Sequence, residues 1–288
     1  MYRAILALSL QAAAQTGADW PSYGGTHAAW RYSTLDQINA SNVAKLTPAR
    51  AFQTGDAENG LQATPIVIDG VIYLSTSNNW VMALDGASGQ VIWEYRYNLP
   101  QGRRLGYGKQ NRGVAVGHGL VFMGTADNHL VAIDQKTGVE SWRVNVADYR
   151  QCGCNITAAP IVVKDLVVTG GTGGDSAHRG MLTAFHAETG RLAWRFYVTP
   201  GPGEKGNETW PGDSWKLGGG APWMTGSFDP ALNLIYWGTG NASSDVNGAK
   251  RRGDNLYTAS IVALDADTGK LKWHYQVVPH DVWDFDAA

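Results

Sequence analysis

The sequence holds only two cysteines in 288 residues, and no Cys-x-x-Cys-His run, so no haem c is attached within it. Charge of either sign is scarce: 23 Lys and Arg against 25 Asp and Glu leave a net charge of −2. That balance offers nothing to nucleic acid or to an anionic membrane surface. No apolar run is long enough to span a bilayer as a helix. What the chain does have is 36 Gly and 12 Trp. This usage fits a turn-rich, Trp-stapled all-β protein and argues against a helical one.

One eleven-residue phrase occurs four times. It reads A-L-D-G-A-S-G-Q-V-I-W from Ala83 to Trp93, and returns at Ala132–Trp142, Ala184–Trp194 and Ala263–Trp273. The Trp residues are spaced 49, 52 and 79 apart. A period of this size marks one supersecondary unit stacked on copies of itself. Within the phrase, an apolar alternating strand (Leu130, Ala132) ends at Asp134, and a Lys-Thr-Gly turn leads to a second strand that carries the Trp. Upstream, Pro65–Leu74 places Asp69-Gly70 between two β-branched runs, a tight-hairpin signal. About four strands per repeat make an antiparallel propeller blade, with the Trp as an apolar plug between neighbours. Four blades close a ring poorly. The chain stops at Asp286-Ala287-Ala288, after a strand and inside a polar loop, so it is expected to be part of a larger propeller.

Met1–Gln15 carries Arg3, a short apolar run (Ala4–Leu10) and small residues (Ala12–Ala14). It reads as a secretory signal peptide, with an ordinary N-terminus as the alternative. Export would place the protein in an oxidising compartment. The expected organisation is a signal over 1–15 and a partial propeller over 16–288.

Several motifs, in order from about residue 19 to the end, resemble the quinoprotein alcohol dehydrogenases, which use pyrroloquinoline quinone (PQQ) and include methanol and ethanol dehydrogenases. Asp19–Asn39 is similar to that family's N-terminal signature, and the repeated phrase to its tryptophan-docking motif. Trp215–Trp223 (W-K-L-G-G-G-A-P-W), Tyr236–Asn241 (Y-W-G-T-G-N) and Pro279–Asp286 (P-H-D-V-W-D-F-D) are similar to its cofactor-site segments. The resemblance implies an eight-bladed propeller about twice this length, with about four blades here. It implies hydride removal from a small alcohol to the quinone, with a Ca²⁺ or lanthanide ion as Lewis acid and a carboxylate as base. It also implies a periplasmic location and a periplasmic cytochrome c as electron acceptor.

By the same resemblance, Asp175 (G-T-G-G-D) and Asn241 (G-T-G-N) match metal ligands, since hard cations take oxygen donors. Asp175 stands where the family usually has Glu, and by composition alone it reads equally as a turn residue. Asn241 reads alternatively as a cap on a strand end. Asp284 matches the catalytic base beside the metal. Asp286 matches the Asp of lanthanide-dependent members, and period-two spacing on extended chain would put both carboxylates on one side. A solvated acidic loop is the plainer alternative for this pair. Trp223 matches the flat floor under the quinone, against core packing as the alternative. Arg112 (N-R-G) matches the Arg that pairs with cofactor carboxylates. Thr157 and Thr172 match hydroxyl contacts to the cofactor, and Gly173 and Gly174 belong to the same cofactor-binding run. Gln62 stands where Glu is frequent.

The family's adjacent cysteine pair is missing; Gly106 and Tyr107 hold that region. Cys152 and Cys154 lie two apart, near the limit for bridging in extended chain, so a strained disulfide and two unbridged thiols both remain open. Two other functional readings stand beside the dehydrogenase. One is a cofactor-free propeller scaffold of the outer-membrane assembly type, which has no reason to keep Arg112, Trp223, Asn241 and Asp284 in their frames. The other is a degraded enzyme, suggested by Asp175 and Gln62. The chain by itself is expected to be inactive and poorly soluble, with unburied terminal blade faces.

Overall fold

Asp69 and Gly70 both take positive φ, 51° and 76°, with Ile68 directly opposite Val71. This is the two-residue hairpin whose twist matches that of its strands. His118-Gly119 repeats it in the second blade. The computed structural model describes residues 19–56, 58–100, 108–176 and 178–287. The signal peptide expected over Met1–Gln15 and the Gly106-Tyr107 pair lie outside these residues.

Each hairpin opens a four-stranded antiparallel sheet laid down in chain order. The first comprises β1 (Ile66–Ile68), β2 (Val71–Ser75), β3 (Trp80–Asp85) and β4 (Val91–Arg96). The second has β5 (Ala115–Gly117), β6 (Leu120–Gly124), β7 (His129–Asp134) and β8 (Glu140–Asn145). The third has β9 (Ile161–Val163), β10 (Leu166–Thr169), β11 (Met181–His186) and β12 (Leu192–Tyr197). The fourth has β13 (Ser227–Asp229), β14 (Leu234–Gly238), β15 (Ser260–Asp265) and β16 (Leu271–Gln276). These are four propeller blades, as the repeat predicts.

The third strand of each blade departs from the expected apolar–polar alternation. Leu130, Val131, Ala132 and Ile133 of β7 are all 0% exposed. The alternation survives in a different form. Val131 and Ile133 join the core shared with blade one, while Leu130 and Ala132 join the core shared with blade three. A third core joins blades three and four. A strand packed on both faces is apolar at nearly every interior position.

The repeated phrase is the joint between blades. The indole of Trp93 donates to the Gln135 carbonyl at 3.0 Å, Trp142 to Ala187 at 2.9 Å and Trp194 to Ala266 at 3.0 Å. Each ring lies on the phrase glycine of the following blade. A Cβ at Gly138 would sit 2.8 Å from Trp93, one at Gly190 2.8 Å from Trp142, and one at Gly269 2.5 Å from Trp194. The phrase Asp ties its own turn: Asp134 accepts from both the amide and the hydroxyl of Thr137, each at 2.8 Å. Asp85 does the same with Ser88, and Asp265 with Thr268. In blade four, Trp273 is 45% exposed.

Candidate active site

In an up-down-up-down blade, the start of the first strand and the end of the second lie at the same rim. Chemistry-bearing residues collect at that rim. Gln62 precedes β1, Gln110 and Arg112 precede β5, Thr157 precedes β9 and Trp223 precedes β13. Thr172, Gly173, Gly174 and Asp175 follow β10, Asn241 follows β14, and Asp284 and Asp286 follow β16. All of them line one pocket of about 350 Å³, together with Ala221. Every site residue expected from the sequence therefore faces a single cavity. Sequence reasoning missed Gln110, and it missed Asp245 just behind the lining.

The acidic side is held together by Asn241. Its Nδ2 donates to Asp175 Oδ1 at 3.1 Å and to Asp245 Oδ1 at 2.9 Å, and its backbone N–H donates to Asp286 Oδ1 at 3.2 Å. One carboxylate oxygen each from Asp175, Asp245 and Asp284 lies within 4.8 Å of the other two. Partial burial raises the carboxyl of Asp245 above the usual range, and the charges of Asp175 and Asp284 push the same way. Burial, then Asp175 and Asp281, raise that of Asp284. Burial also raises Asp286, against the opposing pull of the Asn241 N–H and the Trp223 indole. Mutual repulsion among oxygens is the condition a hard cation relieves.

Asp284 and Asp286 both reach the pocket, but not by the period-two alternation of an extended strand. Asp284 has φ of 60°, in the left-handed region. The Asp281 carboxylate, itself fully buried, makes the bend by accepting from Trp283 N at 2.9 Å and Phe285 N at 2.8 Å. Arg251, 0% exposed, donates to the carbonyls of Asp281 and, at 3.0 Å, Ser244. One buried guanidinium thus joins the loop after β14 to the loop after β16.

On the opposite side the Arg112 guanidinium carbon lies 4.7 Å from the centre of the Trp223 ring. Its Nη1 is buried with no hydrogen-bond partner among the described residues. A buried cationic donor without an acceptor is costly, and a ligand carboxylate would satisfy it. The Thr157 hydroxyl donates to the Trp223 carbonyl at 3.3 Å. The Thr172 hydroxyl is paired with the Asn155 side chain. A Cβ at Gly174 would stand 2.7 Å from Asn241 Oδ1, so the run needs glycine there to let the ligand side chains close in. The residues present thus fit a planar polyanion over Trp223 and an oxygen-coordinated cation beside it.

Cys152 and Cys154 form a disulfide. The expectation of extended chain was wrong. Tyr149–Cys152 is a single helical turn, α1, capped by Asp148 and ended by Gly153 at φ 61°. That curl brings the two Cα atoms to 5.1 Å, within ordinary bridging range. The pair sits behind the pocket wall: Ser176 Oγ donates to the Cys152 carbonyl at 2.9 Å, and a Cβ at Gly173 would stand 3.2 Å from Cys154 Cβ. His178 lies beside it, its imidazole pushed down to about 4 chiefly by burial.

Comparison with known proteins agrees with this geometry. Residues 20–288 match the PQQ family model described as the glucose/ethanol/alcohol dehydrogenase β-propeller domain. The chain is 42% identical over 275 residues to the quinoprotein alcohol dehydrogenase PedH of Pseudomonas putida, covering 90% of this chain and 46% of PedH. It is 44% identical to the quinohemoprotein alcohol dehydrogenase ADH IIB of Pseudomonas putida, covering 97% and 42%. Among solved structures, a europium-containing methanol dehydrogenase superposes with a TM-score of 0.88 at 36% identity, over 95% of this chain and 51% of that one. The chain belongs to the family of PQQ-dependent alcohol dehydrogenase β-propellers. It spans less than half the length of these curated relatives.

Proposed function

We propose that the protein carrying this chain oxidises a small alcohol to the aldehyde. The alcohol gives up its hydroxyl proton and a hydride from its carbon. When bound, PQQ supplies the electrophilic quinone that accepts the hydride, and the cation supplies Lewis acidity at the quinone oxygens. Asp284 is the base for the hydroxyl proton, held in the pocket lining beside Asp175 and Asn241. Asp175, Asn241, Asp284 and Asp286 would hold the cation, either Ca²⁺ or a lanthanide. Arg112 would pair with cofactor carboxylates. Trp223 would be the floor, with Thr157, Thr172, Gly173, Gly174 and Gln62 around it. Export to the periplasm through Met1–Gln15 and electron delivery to a cytochrome c complete this reading.

One observation carries it: residues from four blades and the last loop, each in a separate motif, converge on one pocket with a cationic wall and an acidic wall. A cofactor-free scaffold needs neither wall. The test uses the full-length protein, titrated with PQQ plus either Ca²⁺ or La³⁺ while alcohol-dependent dye reduction is followed. Activity with La³⁺ that is lost in Asp286→Ala assigns the lanthanide. Activity with Ca²⁺ keeps the dehydrogenase and discards the lanthanide. No PQQ binding with either ion sinks the proposal.

A further inference from the structure

We infer that Asp245 is a further ligand of the cation centre, giving it four carboxylates and a preference for a trivalent over a divalent ion. The inference rests on the metal-centre reading above and extends it to a residue that the sequence motifs do not single out.

Three features of the structure carry it. The first is position. Asp245 Oδ1 is 2.9 Å from Asn241 Nδ2, and Asp175 Oδ1 is 3.1 Å from that same nitrogen. A cation set between Asp175 and Asp284 is open to an Asp245 oxygen as well, because oxygens bound to one hard cation at about 2.3–2.6 Å lie no more than about 5.2 Å apart and the three carboxylates are within 4.8 Å of one another. Nothing in that spacing singles out Asp245 as the outsider.

The second is anchoring. Asp245 is half-buried, and its backbone is not free to swing. Arg251, fully buried, reaches its carbonyl at 3.4 Å and that of Ser244 at 3.0 Å, and the same nitrogen holds Asp281. The guanidinium that fixes the Asp284 loop therefore fixes Asp245 as well.

The third is charge. Asp175, Asp245 and Asp284 bring three carboxyl groups together at one end of the pocket, with Asp286 next to them on the Asn241 N–H, and among the described residues Arg112 is the one cationic side chain in the lining. Oxygen cages for hard cations set affinity and ion choice through the number of charged ligands. A trivalent ion gains more than a divalent one from each added carboxylate.

The experiment uses the full-length protein loaded with Eu³⁺. Luminescence decay in H₂O and in D₂O counts the waters on the ion, and competition with Ca²⁺ gives the relative affinity. Asp245→Ala is expected to raise the water count by at least one and to lower the Eu³⁺/Ca²⁺ preference about tenfold or more. Asp245→Asn keeps the shape and an oxygen donor but removes the charge. It should lose preference with little change in hydration, and it serves if the Ala variant fails to fold. Unchanged hydration together with unchanged preference in both variants would overturn the ligand role of Asp245. Asp284→Ala reports separately on the centre itself. If wild type binds neither ion, or Asp284→Ala leaves binding untouched, the metal-centre reading falls and takes this inference with it.

Discussion

The indole of Trp142 lies so close over Gly190 that a Cβ there would stand 2.8 Å from its Cε3. Gly89 occupies the same place in blade one, at φ 71° against 67° for Gly190, yet the three atoms nearest a Cβ there all belong to the flexible side chain of Arg50. Replacing either glycine by Ala imposes the same left-handed backbone penalty, so the difference isolates the Trp contact. Gly190→Ala should destabilise by about 1–3 kcal/mol more than Gly89→Ala, the usual cost of overpacking. Urea unfolding of the two variants measures this, and equal midpoints would show that the Trp–Gly contact is slack.

Asp281 touches no ligand position, yet it shapes the loop that bears Asp284 and Asp286. Asp281→Ala removes the acceptor for Trp283 N and Phe285 N. Cation affinity should fall about 10- to 100-fold, as for other residues that orient ligands. The fold should lose stability as well, because Asp281 and Arg251 are both fully buried and the two N–H groups are left without their acceptor. Calorimetric titration with La³⁺ checks the first, and unaltered affinity would show that the left-handed bend at Asp284 holds without its acceptor.

Arg112 Nη1 is a buried donor with no hydrogen-bond partner among the described residues. Arg112→Met keeps the bulk over Trp223 but removes the charge. Losing a charge-assisted hydrogen bond costs about 1.5–3 kcal/mol, so PQQ should bind roughly 10- to 100-fold more weakly. Quenching of Trp fluorescence on PQQ titration reads this. Arg112→Lys should recover only part of the loss, because an ammonium cannot make the forked contact.

The phrase aspartates predict the acid limit of stability. Hydrogen bonds from the Ser88, Thr137 and Thr268 hydroxyls hold Asp85, Asp134 and Asp265 below the usual carboxylate range. A carboxyl depressed in the folded state stabilises above its unfolded value, near 3.9, and that contribution is lost as pH falls through the folded value. Thermal midpoints should hold down to about pH 4 and then drop. Asp134→Asn should start from a lower midpoint and fall less steeply. A wild-type midpoint that does not change between pH 5 and pH 3 would refute this account.

How much of this was readable beforehand follows from where the information sits. The Trp phrase and the Asp69-Gly70 hairpin are local: turn chemistry and period state them outright, and the blades follow. The pocket residues were readable through their motif frames. Asp245 was not, because its neighbours Ser243, Ser244 and Val246 say nothing of Asp175, and only the packing of blades three and four brings them together. The geometry of Asp284 and Asp286 was misread for a similar reason. Spacing by two implies one side only on extended backbone, and Asp281 bends the chain. The same assumption made the Cys152–Cys154 bridge look unfavourable, whereas one helical turn and Gly153 bring the pair into range. The apolar alternating strand was legible as such, but that it parts its side chains between two cores depends on the neighbouring blades.

The Trp-to-Gly joint has a direction. Every blade supplies a ring to its successor and a glycine seat to its predecessor, so the contact is head-to-tail and never self-complementary. Among the described residues one seat, Gly89, stands without a ring, and one ring, Trp273, stands half open. Surfaces of this kind either close into a ring or keep adding units in a line. Two four-blade units related by a two-fold axis would satisfy both surfaces at once, each unit's open ring on the other's open seat.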